Sequence, residues 1–401
     1  MQPGSSERLY YVDWLRVFAV FLLIPFHTAM IFVFWNWHIK NPTLSWELTV
    51  FNSFLGIWHM PLFFFLSGVG TYFALSFRSS REYVKERLLR LFIPLVFGML
   101  AVVPPQIYLE RLHRLQYQGG YIDFYPSIFL TGSYPEGNLS WHHLWFLAYL
   151  TVFSLLALPL FNYLKNERSI PFINKVTSFF SKGQRIFLLA LPLVFYQVAL
   201  RVKWPGGNQN LYDDWANFFF YLTLFILGYF LCTDEKLQQA PVKNRKAALS
   251  LGTALALFLL ALDLLGKHPT WGYNPFNLAM LGLNGFITWC WILAILGFGR
   301  VYLNRTNSFL KYTAEASFPF YILHQTIIIL LAYYIVQYNW PIALKFVVIN
   351  ILSFSITLAC YDLLVKRIKV LRFLFGMKNL KRAGKCPNQC PIPNSQFRTH
   401  E

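Results

Sequence analysis

Three ionisable side chains stand out in the first apolar stretch of the chain, VDWLRVFAVFLLIPFHTAMIFVFWNW, residues 12–37. They are Asp13, Arg16 and His27. Eleven residues separate Arg16 from His27, close to three turns at about 3.6 residues per turn. Asp13 and Arg16 are three apart and share that face. An acid, a cation and an imidazole therefore form one polar stripe on a helix that otherwise suits lipid. Ionisable groups inside a bilayer are costly, and they ordinarily face a partner, a cavity or a substrate path. An imidazole held there can take up or relay a proton. The plain structural alternative is an interfacial Asp13–Arg16 pair that orients the helix, with His27 as a hydrogen-bonded bundle histidine. Pro25 has no N–H to give the carbonyl four residues back, so a break is expected beside His27.

Further polar groups lie in or beside later apolar runs. His59 sits in WHMPLFFFLSGVG, near mid-bilayer by the helix rise, with Ser67 and Gly68 deeper along the same helix. Small residues there permit close helix packing. Arg87 and Arg90, in ERLLRLFIPL, are three apart on one face at the mouth of the next run. They are a positive-inside signal, or a clamp for a nucleotide's pyrophosphate or 3′-phosphate. HHLWFL places His142 and His143 at the opposite face. ASFPFYILHQ brings Ser317, Tyr321 and His324 to one side of a helix, with Glu315 near its inner edge. His27, His59 and His324 thus fall in three separate apolar spans, which suggests a polar cavity through a bundle. Three histidines can also bind zinc, but none of these shares a helix with another at i, i+4 spacing, so no metal site is expected. CPNQC (Cys386 to Cys390) has no neighbouring His or Cys partners.

The elements that must position these groups follow from composition. Of 401 residues, 56% are hydrophobic and only 13% charged, whereas charged residues make up about a quarter of a soluble globular chain. This is an all-α polytopic membrane protein by composition. Ten apolar segments can be read, at about 12–36, 50–77, 88–109, 143–164, 185–202, 215–233, 246–265, 276–299, 314–337 and 341–364. With the N-terminus in the cytoplasm, 28 of the 35 Lys and Arg fall on the inside and seven outside. That bias supports a bundle of about ten transmembrane helices with both termini cytoplasmic, in the cytoplasmic (inner) membrane. The net charge of +18 is explained by these loops and the C-terminal tail, so nucleic acid is not an expected partner. Cys232, Cys290 and Cys360 lie in or beside apolar spans, and the five cysteines offer no disulfide framework. The first apolar stretch is too long for a cleavable signal and lacks a small-x-small site. Residues 1–365 form the transmembrane domain, and 366–401 a basic cytoplasmic tail, partly disordered, resting on anionic lipid. The longest outside loop, 110–142, carries Tyr117, Tyr121, Phe124, Tyr125, Tyr134 and Trp141, which suit sugar rings or an interfacial resting place on headgroups.

These motifs, taken together and in order over residues 10–365, resemble the acyltransferase 3 family of integral-membrane acyltransferases. The resemblance rests on Arg16-x10-His27, FFFLSG (Phe63 to Gly68), Arg87-x-x-Arg90, HLWFL (His143 to Leu147) and SFPFYILH (Ser317 to His324). Within the family the chain looks most like the glucan biosynthesis protein C branch, which succinylates periplasmic glucans. IPFH (Ile24 to His27) and RFLFGMK (Arg372 to Lys378) carry that likeness, while His59-Met60-Pro61 departs from it where the branch is expected to carry Arg. The resemblance implies a ten-helix core that moves an acetyl or succinyl group from cytoplasmic acyl-CoA to a hydroxyl of an extracytoplasmic carbohydrate. It implies acyl-CoA as a donor substrate and no bound cofactor. His27 would be the base, or a transient acyl carrier. Asp13, about 21 Å along the helix from His27, would orient Arg16. Arg16, Arg87 and Arg90, with Ser67, would hold the donor. His59, Tyr321 and His324 would line the path or stabilise an oxyanion, and His143 would face the acceptor. The oligomeric state is open, a homodimer included. The rival reading is a proton-coupled transporter or exporter of a small molecule or glycan, against which the absence of a visible internal repeat counts.

Overall fold

Capping residues decide where the apolar runs become helices. The computed structural model describes residues 9–207 and 209–377, and among these the fold is all-helical. In chain order the main elements are α1 (Tyr10–Ala29), α2 (Trp46–Phe77), α3 (Ser80–His113) and the bent pair α4 (His142–Leu156 and Leu158–Lys165, 46° apart). There follow the bent pair α5 (Glu167–Phe180 and Arg185–Leu200, 110° apart), α6 (Trp215–Leu231), α7 (Glu235–Leu264), α8 (Pro275–Tyr302), α9 (Ser308–Ile335) and α10 (Ile342–Val365). Each of the ten apolar segments overlaps one of these. Among the described residues seven helices are long and apolar enough to cross a membrane, or nine if each bent pair is one span. The sequence predicts ten. The difference lies in α4 and α5, which are broken, and in α6, whose 17 residues fall short of the roughly 20 that a span needs. Either count makes this a multi-pass membrane protein.

Helix starts lie earlier than apolarity suggests. Asp234 caps α7 by accepting from the Leu237 N–H at 3.0 Å, so the helix begins well before residue 246, in the polar stretch EKLQQAPVKNRK. Asn307 caps α9 in the same way through the Leu310 N–H at 2.8 Å. Ser79 and Glu82 close a capping box at the start of α3.

α1 is interrupted at Leu22, as Pro25 requires, since Phe21 loses its acceptor role toward residue 25. It then ends at Ala29 rather than near 36. Ile31, Phe32 and Val33 are completely buried in a return loop, pinned where the Asn41 N–H donates to the Ile31 carbonyl at 3.0 Å and the Ser45 N–H to that of Phe32 at 2.7 Å. An apolar run reads alike as helix or as buried loop.

α3 contains two π-helical turns, Leu88–Phe92 and Gly98–Val102. Both precede a proline. Pro94 and Pro104 cannot donate to the carbonyls of Arg90 and Leu100, and the ladder slips to an i→i−5 bond. The freed Leu100 carbonyl accepts from the Tyr125 hydroxyl at 2.9 Å.

α2 and α6 touch backbone to backbone. A Cβ on Gly68 would lie 1.9 Å from the Phe225 carbonyl oxygen, and one on Gly228 would lie 2.0 Å from that of Phe65. Neither carbonyl can yield without moving a helix. Gly68→Ala is therefore expected to destabilise the fold by at least about 1–3 kcal/mol. A melting curve of the detergent-purified variant checks this, and an unchanged Tm would refute the close contact.

α11 (Lys369–Leu374) follows α10 and packs against the bundle. Its buried Arg372 donates to Glu315 on α9 at 3.1 Å. Gly376, at φ +64°, passes so near the Arg90 carbonyl that a Cβ would stand 2.8 Å from it. The remainder of the basic tail, CPNQC included, lies outside the described residues.

Candidate functional site

A cavity of about 850 Å³ opens between α1, α2, α3, α4 and α9, a size within the range of small-molecule sites. Arg16, Ser67, Arg87, Arg90 and Tyr321 all line it, five residues that the sequence scatters over more than 300 positions. Arg78 joins them, along with Glu86 and Glu315. The arginines are held rather than splayed. Glu86 pairs with Arg78 at 3.1 Å and with Arg90 at 3.3 Å, and Arg87 lies over the Tyr83 ring at 4.8 Å. The Nε of Arg87 is buried and has no hydrogen-bond partner. Asp13 pairs with Arg16 at 3.4 Å on the shared face. Arg16 runs beside Gly70 of α2. The π turn at Leu88–Phe92 sets the angle between Arg87 and Arg90. Four guanidinium groups against two carboxylates leave the mouth cationic, which suits a polyanion. The inner end of the cavity is apolar, walled by Phe63, Met60 and Phe146, with Tyr321 beside them.

Beyond Tyr321 lie the histidines. His27 Nδ1 lies 3.0 Å from His324 Nε2 and 3.1 Å from the Leu23 carbonyl. His324 Nδ1 lies 2.6 Å from the Tyr321 carbonyl, an acceptor, and so must carry a proton. His324 Nε2 is then an acceptor, and His27 Nδ1 must donate to it. The lone pair of His27 is thereby placed on Nε2, the nitrogen free to take a proton. The Trp37 ring stacks on His27 with centroids 6.3 Å apart. His143 is buried within the bundle, its ring 5.2 Å from that of His324, and its Nε2 donates to the Ile322 carbonyl at 2.9 Å. The Tyr321 hydroxyl donates to the His143 carbonyl at 2.6 Å, so its ring rather than its hydroxyl is offered to the cavity.

Of the three histidines in apolar spans, His27 and His324 meet, and His59 does not join them. Its Nε2 donates to the Ala19 carbonyl at 2.7 Å, which pins α2 to α1, and Phe26 lies against its ring. That commitment leaves no geometry for zinc on these three. Among the described residues the imidazole and carboxylate groups that do converge are His38, Glu110 and His142.

The sequence reading passes over that second cluster and the amides leading to it. Gln106 donates to Thr326 at 2.7 Å and approaches His143 Nδ1 at 3.4 Å. Gln325 donates to Gln106 at 3.0 Å and approaches His38 Nε2 at 3.3 Å. The polar line thus continues from His324 to the far end of the bundle. A carboxylate in PPQIYLERLH was a signal available for it. In the neighbouring loop, burial and the Glu110 carboxylate push the Tyr134 phenol up to about 12. Burial alone lowers Lys40 to about 8. The aromatics of 110–142 pack on one another, as with Tyr117 on Phe124 at 5.2 Å, and Tyr134 turns inward to Glu110.

The chain as a whole is similar to known proteins. The profile of the acyltransferase 3 family, described as an acyltransferase domain, matches residues 9–364. The chain is 27% identical to glucans biosynthesis protein C of Escherichia coli strain K12 over 391 residues, 94% of this chain and 97% of the relative. The proteins of the same name from Escherichia coli O81 (strain ED1a) and O9:H4 (strain HS) match to the same extent. No solved structure matches.

Proposed function

The chain belongs to the acyltransferase 3 family, and we propose that it transfers an acetyl or succinyl group from cytoplasmic acyl-CoA to a hydroxyl of a glycan on the other side of the inner membrane. The observation that carries this reading is the cavity that runs from an arginine-lined mouth to an apolar end at Tyr321, next to paired His27 and His324. The cationic mouth suits the phosphates of CoA, and the apolar end suits the acyl thioester. Arg16 and His27 are about 16 Å apart along α1, a gap for the pantetheine arm to fill. The names of the similar proteins favour a glucan as acceptor.

In this mechanism the acceptor hydroxyl approaches from the His38 end and gives its proton to His27 Nε2. Its oxygen forms a bond to the thioester carbonyl carbon, and collapse breaks the carbon–sulfur bond. The departing CoA thiolate takes the proton back from His27, which leaves an ester and CoA–SH. A variant of the same chemistry has His27 Nε2 carry the acyl group first. His324 acts as a positioning residue, because its lone pair shares the His27 Nδ1–H with the Leu23 carbonyl and holds the ring in place. His324→Ala is expected to lower kcat about tenfold with little change in KM for the donor. A matched rise in KM without loss of kcat would remove that role.

The deciding experiment measures acyl-CoA turnover by the detergent-purified full-length chain, with a soluble glucan added and no ion gradient. Consumption of donor with label on the glucan supports the reading. Absence of turnover across an acyl-CoA panel, together with gradient-driven substrate flux in liposomes, would favour the transporter instead.

A further inference from the structure

At the end of the bundle remote from the arginines, side chains from three separate segments meet. His38 comes from the loop after α1, Glu110 from the last turn of α3, and His142 from the start of α4. A ligand atom of each lies within 4.8 Å of the other two. Glu110 is fully buried. Its Oε1 accepts from Arg114 at 2.9 Å and from the Tyr134 hydroxyl at 3.0 Å, and its Oε2 meets His38 Nδ1. His142 Nδ1 lies 2.9 Å from the Ser140 hydroxyl, while its Nε2 is buried with no hydrogen-bond partner. A buried imidazole nitrogen left without a partner is costly. The backbone of His142 stands at φ +40°, a strained value for a residue with a Cβ, and keeps the ring against His38 at 4.4 Å between centroids.

We propose that His38, Glu110 and His142 bind one divalent transition-metal ion, with zinc the best chemical match. Two imidazoles and one carboxylate are the donor set of a three-ligand zinc site with an open fourth position. The ligating atoms are His142 Nε2, Glu110 Oε2 and His38 Nδ1. The outer contacts fit that assignment. Arg114 and Tyr134 fix the carboxylate, and the Ser140 oxygen can accept from His142 Nδ1–H, which puts the lone pair on Nε2. For His38 the proton at Nδ1 moves to Nε2, and the Gln325 amide 3.3 Å from it turns to accept that proton, giving up its bond to Gln106. No net proton is released. The ion ties three segments together beside Trp37, which stacks on His27. The site is separate from the donor cavity, so it stands whether or not the donor is acyl-CoA.

The test uses tag-free, full-length protein in detergent, stripped with a chelator and titrated with Zn²⁺ by calorimetry, with Co²⁺ absorption as a second readout. One Zn²⁺ per chain is expected, with an intense tetrahedral-type Co²⁺ band. His142→Gln and Glu110→Gln are each expected to weaken Zn²⁺ binding at least about 100-fold and erase that band, and Tyr134→Phe to weaken it about tenfold. His268→Gln, at an exposed histidine beyond α7, is expected to bind as wild type does. If Glu110→Gln does not fold, His142→Gln carries the test, since its side chain has only the Ser140 hydrogen bond to lose beside its ring contacts with His38 and Tyr134. Wild type that binds no Zn²⁺, or His142→Gln that binds it with wild-type affinity, would overturn the proposal.

Discussion

His27→Ala is expected to abolish acyl transfer while leaving the protein inserted and folded. A positioned base contributes about 10²–10⁴-fold, and a residue that also carries the acyl group contributes no less. The expectation follows from the tautomer argument. His324 must donate to the Tyr321 carbonyl, so it can only accept from His27, and the basic nitrogen of His27 is Nε2. His27→Gln retains a donor toward His324 and is expected to fail as badly, which separates proton transfer from packing. The check is turnover with saturating donor and acceptor, beside a melting curve for each variant. Full activity in His27→Ala would end the catalytic assignment. A loss of activity that tracks a fallen Tm, with His27→Gln active, would make His27 a structural residue only.

Removal of the arginine mouth is expected to act on the donor alone. Arg87→Ala and Arg90→Ala each remove a charged hydrogen-bonding group, worth about 1.5–3 kcal/mol, or roughly 10–100-fold in affinity. The double variant is expected to raise KM for acyl-CoA more than either single one and to leave KM for the acceptor where it was. Arg87 is the more informative position, because it lines the cavity and its buried Nε has no partner in the protein. Arg90 shares Glu86 with Arg78, so its loss leaves that carboxylate to Arg78 alone and makes the mouth less cationic. Direct donor binding to the variants checks this. Equal affinity would discard the phosphate clamp.

Much of the site was legible because its parts are rare in their surroundings. Arg16 and His27 at eleven-residue spacing, and Tyr321 with His324, are polar groups on apolar helices, and periodicity alone puts each set on one face. The structure brings Arg16, Arg87, Arg90, Ser67 and Tyr321 to one cavity and sets His27 against His324. What was not legible depends on long-range contact. His143 reads as an outer-face residue because it opens an apolar run, yet the strained turn at His142 and the Ile322 carbonyl carry it inside. His59 reads as a path residue, and its ring nitrogen is bonded to a backbone carbonyl 40 positions away. Arg78 has no motif, yet it lines the cavity, paired with Glu86. His38 falls just past the stretch that reads as the first helix, and the return loop that makes it a partner of Glu110 begins inside that apolar stretch. The fold class followed from composition; the number of spans did not, because α4 and α5 bend and α6 is short.

The measurement that bears most directly on the account is the sidedness of transfer. Inverted membrane vesicles enclose an acceptor glucan, and labelled acyl-CoA is supplied only outside, at the former cytoplasmic face. Label is expected on the enclosed glucan with the wild-type chain and none with His27→Ala, with donor and acceptor never sharing a compartment. Label that appears only on acceptor added outside, or on the enclosed glucan with His27→Ala as fast as with wild type, would contradict it.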